Sequence, residues 1–88
     1  MLRSSEIDKI EKEVKGIIST VFDIEESKLT RETRFLEDLF AKSVQILELL
    51  AMLEYKFKLE IPMTEVRKNK TVGQAIDYMV RRLKESSK

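Results

Sequence analysis

Phe35-Leu36-Glu37-Asp38-Leu39-Phe40-Ala41-Lys42-Ser43 is the stretch on which the reading of the fold turns, a loop that runs into a long apolar-rich segment from Val44 to Phe57. Val44, Leu47, Leu50, Ala51, Leu53 and Phe57 recur at intervals that place them along a helix beginning at Ser43, and they are expected to form its buried face. Ile46, Leu49 and Met52 carry apolar character further round than one contact face needs. Such a helix is either buried between neighbours or exposes a patch to a partner. The serine itself has two readings. It is a good helix N-cap, worth about 1 kcal/mol. It is also an accessible hydroxyl beside the positive end of a helix dipole, where an attached anion is favoured.

Upstream, Ile7, Ile10, Val14, Ile17, Ile18 and Val21 recur at helical spacing between charged residues. Ser5 followed by Asp8 suggests a capping box, so a first helix is expected from Ser5 to about Thr20 or Val21. The connection from Phe22 to Lys42 is long, and loops of that size are usually functional or packed down by their own side chains. Leu29, Phe35, Leu36 and Leu39 are its expected anchors, with Glu37 and Asp38 solvated.

Downstream, Leu59-Glu60-Ile61-Pro62 closes the second helix, because proline cannot continue a helix interior and holds Ile61 extended. Met63 to Arg67 fits a short third helix with Met63 and Val66 inward, and Lys68-Asn69-Lys70 breaks it. Thr71 with Gln74 three residues on is a second capping box. Val72, Ala75, Ile76, Met79, Val80 and Leu83 then give the last helix its apolar face, Gly73 is a mild cost in its first turn, and residues 85–88 fray. The expectation is an all-α fold in one domain over residues 1–88. It is a small four-helix bundle of three longer helices and one short one, with a long loop between helices one and two.

Composition narrows the chemistry. With 88 residues the chain can build one modest core, with a stability of roughly 5 kcal/mol. It has no cysteine, so disulfides and thiolate metal sites are excluded. It has no histidine, which removes the usual general base of nucleophilic catalysis and the usual zinc ligand. An enzyme is not expected, nor a metal site. No stretch is long and apolar enough to span a bilayer, and Met1-Leu2-Arg3-Ser4-Ser5 leads into a charged helix rather than a signal segment. A cytoplasmic protein is the expectation.

Seventeen basic residues against sixteen acidic ones give little overall pull on nucleic acid. The balance hides an asymmetry. Between Phe35 and Glu65 stand six acids against three bases, whereas from Val66 onward there are seven bases against Asp77 and Glu85. Partners can read the two regions differently.

Several strings, in this order and spacing, resemble the acyl carrier proteins of fatty-acid and polyketide synthesis. They are Phe35-Leu36-Glu37-Asp38-Leu39, then Leu53-Glu54 with Phe57 and Glu60-Ile61-Pro62, then Thr71-Val72-Gly73-Gln74-Ala75-Ile76-Asp77-Tyr78, within a similarity running from Ile10 to Met79. Each is weak alone; together they are specific. Members of that family hold 4′-phosphopantetheine on the serine of an Asp-Ser-Leu motif, and Ser43 falls on that serine. Lys42 stands at the aspartate, Val44 at the leucine, and Phe40 replaces a glycine usual in the preceding loop. The resemblance implies that a phosphopantetheinyl transferase recognises these neighbours. Lys42 reverses a charge that transferase normally reads, yet it suits an attached phosphodiester.

The resemblance further implies a monomeric carrier that delivers acyl thioesters between acyl-processing enzymes, with no role for nucleic acid. Glu37, Asp38, Glu48 and Glu54 are then the candidate partner-binding acids. Leu47, Leu50, Ala51, Leu53, Ile61, Val66, Val72, Ile76 and Met79 are candidates to line an acyl pocket, although the same residues serve an ordinary dry core equally well. Asn69, where the family commonly has an apolar residue, implies a more polar entrance. The basic tail is unusual for this largely acidic family and points to a specialised carrier with weaker charge steering. The competing reading is an interaction module that keeps the fold and is never modified.

Overall fold

The computed structural model describes residues 2–86. Four α-helices account for most of the chain: α1 (Ser4–Phe22), α2 (Ser43–Phe57), α3 (Met63–Lys68) and α4 (Val72–Ser86). No strand forms among the described residues; an isolated bridge pairs Arg34 with Thr71. The expected all-α four-helix bundle is therefore present. Packing centres on α1, which lies along both α2 and α4. Its Val14 and Ile18 are shut off from solvent together with Val72, Ile76 and Met79 of α4, while α2 contributes Leu49 and Leu53. The six-residue α3 contributes no fully buried side chain, and its Val66 rests against the core half-exposed.

The second helix spans Ser43–Phe57 as expected, whereas the ends of α1 differ in detail. Arg3, not Ser5, precedes the first turn of α1, and the Glu6 carboxylate accepts the Arg3 backbone N–H. The helix runs on through Phe22, where Asp23 adopts the left-handed conformation and its N–H donates to Ser19 O. For α4 the capping box forms as read. Gln74 N–H donates to Thr71 Oγ1 at 3.1 Å, and Gln74 Oε1 accepts from Lys70 N–H at 2.7 Å and Thr71 N–H at 3.3 Å. Glu85 and Ser86 remain helical; Ser87 and Lys88 of the expected frayed end lie outside the described residues.

Between α1 and α2 the chain is ordered by its own contacts. After a single 3-10 turn at Glu26–Lys28, Leu29 and Phe35 sink into the core, and the Phe35 ring meets Phe22 with centroids 6.1 Å apart. Leu39 is half-buried, whereas Leu36 is exposed and anchors nothing. Backbone hydrogen bonds stitch this segment to the start of α4: Val72 N–H to Thr33 O, Gly73 N–H to Arg31 O, and Phe35 N–H to Lys70 O. Arg31 adds ion pairs to Asp77 at 2.6 Å and Glu11 at 3.5 Å. The long connection is thus a fixed strap across the ends of α1 and α4, and it delivers the chain to Ser43.

Candidate functional site

The approach to Ser43 is a compact turn. Asp38 and Leu39 N–H groups both donate to Arg34 O, and Ala41 N–H donates to Phe35 O. The turn closes by placing Phe40 at φ 52°, a left-handed backbone that side chains other than glycine adopt only at a cost of roughly 1–2 kcal/mol. Glycine, which the resembled family usually has at this place, enters that region freely. The Phe40 ring, 78 % exposed, gains nothing from burial in return.

Ser43 is the first helical residue of α2, and Lys42 occupies the N-cap position. The expectation of a serine cap is corrected by one residue. The cap is formed in reverse, by Gln45 Oε1 accepting the Lys42 N–H at 2.9 Å. A glutamine three residues past Lys42 is the sequence signal for such a cap. The consequence for Ser43 is direct. It is exposed, its hydroxyl makes no hydrogen bond within the described residues, and the N–H groups of Ser43 and Val44 are likewise unclaimed. No acidic side chain occupies the first turn of α2. An oxygen-linked anion at Ser43 would meet unpaired backbone donors, the positive helix end and the neighbouring Lys42.

The four candidate partner acids separate into two pairs. Glu37 and Glu48 stand exposed. Asp38 is clasped by Arg34, whose backbone N–H donates to Oδ2 at 2.8 Å and whose guanidinium reaches both carboxylate oxygens at 3.2 Å. The guanidinium bond first, then the backbone donor, holds the Asp38 carboxyl below the usual aspartate range. Glu54 accepts the Ile61 backbone N–H at 2.8 Å, which ties the end of α2 to the segment before α3. Neither Asp38 nor Glu54 is a loose charge.

The nine residues expected to line an acyl pocket fall on two sides of α2. Leu53, Ile61, Val72, Ile76 and Met79 are buried together, and Leu50 and Val66 are half-buried beside them. Leu47 and Ala51 face solvent. The expected buried face of α2 is corrected accordingly. Leu49 and Leu53 point inward, Phe57 and Leu50 are half-buried, and Val44 is 66 % and Leu47 52 % exposed. Physically, a helix apolar on nearly every side has no phase to read. Tyr55, 87 % exposed, completes an outward apolar row that sequence reasoning missed.

The basic tail is also partly spent inside the fold. Arg82 donates to the buried Tyr78 hydroxyl at 2.6 Å and to Glu60 O at 2.8 Å, and Arg81 and Arg82 both stack on the Tyr78 ring within 5.6 Å.

A small helical bundle that presents an unengaged serine at the N-terminus of its second long helix has the form of a carrier domain. Residues 12–79 match the family model described as the phosphopantetheine attachment site. The chain is 37 % identical over 78 residues to an acyl carrier protein of Porphyromonas gingivalis, covering 89 % of this chain and all of that one. Its fold matches that of an acyl carrier protein from Enterococcus faecalis, studied for its high thermal stability. The TM-score is 0.73 at 36 % identity, over 85 % of this chain and 95 % of the other. The chain belongs to the acyl carrier protein family. It is a carrier of acyl groups on 4′-phosphopantetheine and not an enzyme, and its partners include a phosphopantetheinyl transferase and acyl-processing enzymes. Among the described residues no helix is long and apolar enough to cross a membrane.

Proposed function

We propose that Ser43 is the attachment residue and that the chain, a single domain over residues 1–88, works as a monomeric cytoplasmic carrier specialised for one branch of fatty-acid, lipid or polyketide-type synthesis. The observation that carries the attachment reading is the hydroxyl itself. It is exposed, takes no part in capping, and sits in the first turn of α2 beside unclaimed backbone N–H groups. The arm, when bound, supplies the thiol that this cysteine-free chain lacks and on which acyl groups travel.

Ser43 contributes the oxygen that bonds to phosphorus, losing its proton to a base on the transferase as the nucleotide portion of coenzyme A departs. Lys42 and Val44 flank that oxygen. The Lys42 ammonium attracts the attached phosphodiester and faces no neighbouring acid in the first turn. Exposed Glu37 and Glu48 are the charges left for partner enzymes to read, since Asp38 and Glu54 are engaged. That thinner acidic field supports the specialised reading, because weaker steering lowers encounter rates with enzymes tuned to a strongly acidic carrier.

Incubation with coenzyme A, magnesium and a broad-specificity transferase tests the attachment by intact mass. One phosphopantetheine is expected on the wild type and none on Ser43→Ala. A gain that persists in Ser43→Ala, or no gain on a wild type that is folded while a control carrier is modified, overturns it. Specialisation is tested by reconstitution: support of bulk fatty-acid synthesis at the rate of a housekeeping carrier contradicts it.

A further inference from the structure

Phe40 combines a strained backbone with a ring that the fold does not bury. Its φ of 52° is left-handed, a region that a side chain other than glycine enters at a cost, and residues kept in such conformations gather at functional sites. The ring is exposed and takes part in no aromatic or cation–π contact among the described residues. Its surroundings share that character. Five large apolar side chains stand exposed among the described residues, and four of them, Leu36, Phe40, Val44 and Leu47, lie within seven residues of Ser43. The hydrogen bond from Ala41 N–H to Phe35 O has Leu36 and Phe40 on its two flanks, so the turn gathers both at the approach to α2.

What covers this patch follows from the reaction. A transferase must bring the phosphorus of coenzyme A to bonding distance of the Ser43 oxygen, whereas acyl-processing enzymes work at the thiol, at the far end of the arm. Phe40 stands three residues before Ser43, at most ~11 Å along the chain. An ordinary interface covers about 800 Å² of each partner, a disc ~16 Å in radius. An enzyme seated on Ser43 therefore covers the Phe40 ring. Charge gives that enzyme little to hold. Asp38 is clasped by Arg34, Lys42 places a cation next to Ser43, and the first turn of α2 has no acid. A basic enzyme surface is repelled there, and apolar burial is the contact left to supply affinity.

We infer that the phosphopantetheinyl transferase serving this chain takes the Phe40 ring into an apolar pocket, with a neutral or acidic surface facing Lys42, so that Phe40 and not an acidic field selects the carrier. This rests on the attachment reading above. The ring decides specificity and takes no part in the chemistry at the serine oxygen. Its backbone is already fixed by the hydrogen-bonded turn, which lowers the cost of ordering it on binding.

The purified transferase of the source organism, with coenzyme A and magnesium, gives kcat and KM by intact mass. Phe40→Ala and Phe40→Gly are each expected to lower kcat/KM about tenfold or more, mainly through KM, and Phe40→Leu to keep most of it. Alanine retains the left-handed cost and glycine removes it, so matching losses assign the effect to the ring and not to the backbone. Tyr55→Ala, at an exposed position ~18 Å along α2 from Ser43, leaves kcat/KM unchanged. The wild-type value is expected to change little with ionic strength. Undiminished kcat/KM in Phe40→Ala, a loss confined to Phe40→Gly, or a steep fall with added salt overturns the inference and leaves attachment at Ser43 standing. So does a wild type modified by a broad-specificity transferase but not by that of the source organism. A folded wild type that both enzymes leave unmodified contradicts the attachment reading, and this inference with it.

Discussion

Gly73 and Arg31 approach so closely that a Cβ placed on Gly73 would lie 2.9 Å from both the Arg31 Cβ and its carbonyl oxygen. The Gly73 N–H donates to that same oxygen at 2.9 Å, so the contact is held by the backbone and has little room to relax. Gly73 is buried, and its φ is not positive. Glycine is required here for lack of space, and not for conformational freedom. Gly73→Ala, a change that ordinarily favours a helix by about 1 kcal/mol, is expected to destabilise the protein by about 1–3 kcal/mol through overpacking. Urea unfolding midpoints measure this, and an unchanged or raised midpoint would show that the strap yields.

Phe40 presents the opposite case. Its left-handed backbone is a local cost, and its exposed ring recovers none of it within the fold. Relief of about 1–2 kcal/mol is offset by the extra freedom glycine brings to the unfolded chain, about 0.4–1 kcal/mol. Phe40→Gly is therefore expected to stabilise by up to about 1.5 kcal/mol, read as a higher thermal midpoint. A loss of stability would mean that the ring makes a contact the fold depends on.

Asp38 titrates below an ordinary aspartate because the Arg34 guanidinium, and then its backbone N–H, hydrogen-bond the charged form. With the folded value beneath the unfolded one of about 3.9, the pair stabilises the protein fully above that pH. That contribution is lost as pH falls through the folded value. Arg34→Ala is expected to move the Asp38 titration, followed by carboxyl NMR, up towards the ordinary value and to weaken the acid-side dependence of stability. An unmoved titration would place the cause elsewhere.

Arg82 links three parts of the fold: its own helix, the Tyr78 hydroxyl and the Glu60 carbonyl. Its removal leaves the hydroxyl of a buried tyrosine short of a partner, at a cost of about 1–3 kcal/mol. Arg82→Ala should lower the unfolding free energy by that amount. Arg81→Ala, which gives up only a ring contact, should cost less than about 1 kcal/mol. Equal effects would indicate that charge, and not these hydrogen bonds, sets the difference.

What could be read from the sequence follows from how each element holds itself. The stripes of α1 and α4 alternate sharply with charge, so their existence and inward faces were legible in Ile10, Val14, Ile18, Val72, Ile76 and Met79. The second helix was legible as a helix but not in its orientation, because Val44, Leu47, Leu49 and Leu53 are equally apolar and only the position of α1 selects among them. The start of α2 at Ser43 was legible, and only its cap was misassigned by one residue, since Gln45 serves Lys42. The binding of Asp38 by Arg34, of Glu54 by the Ile61 N–H and of Gly73 by Arg31 depends on turns and long-range approach, which carry no periodic signal.

Fragmentation of the modified protein by tandem mass spectrometry, after reaction with coenzyme A and a broad-specificity transferase, bears most directly on the central claim. The account predicts a single phosphopantetheine on the peptide spanning Ser43, with fragment ions placing it on that residue. A modification located on any other serine or threonine, or a folded protein left unmodified beside a modified control carrier, would contradict it.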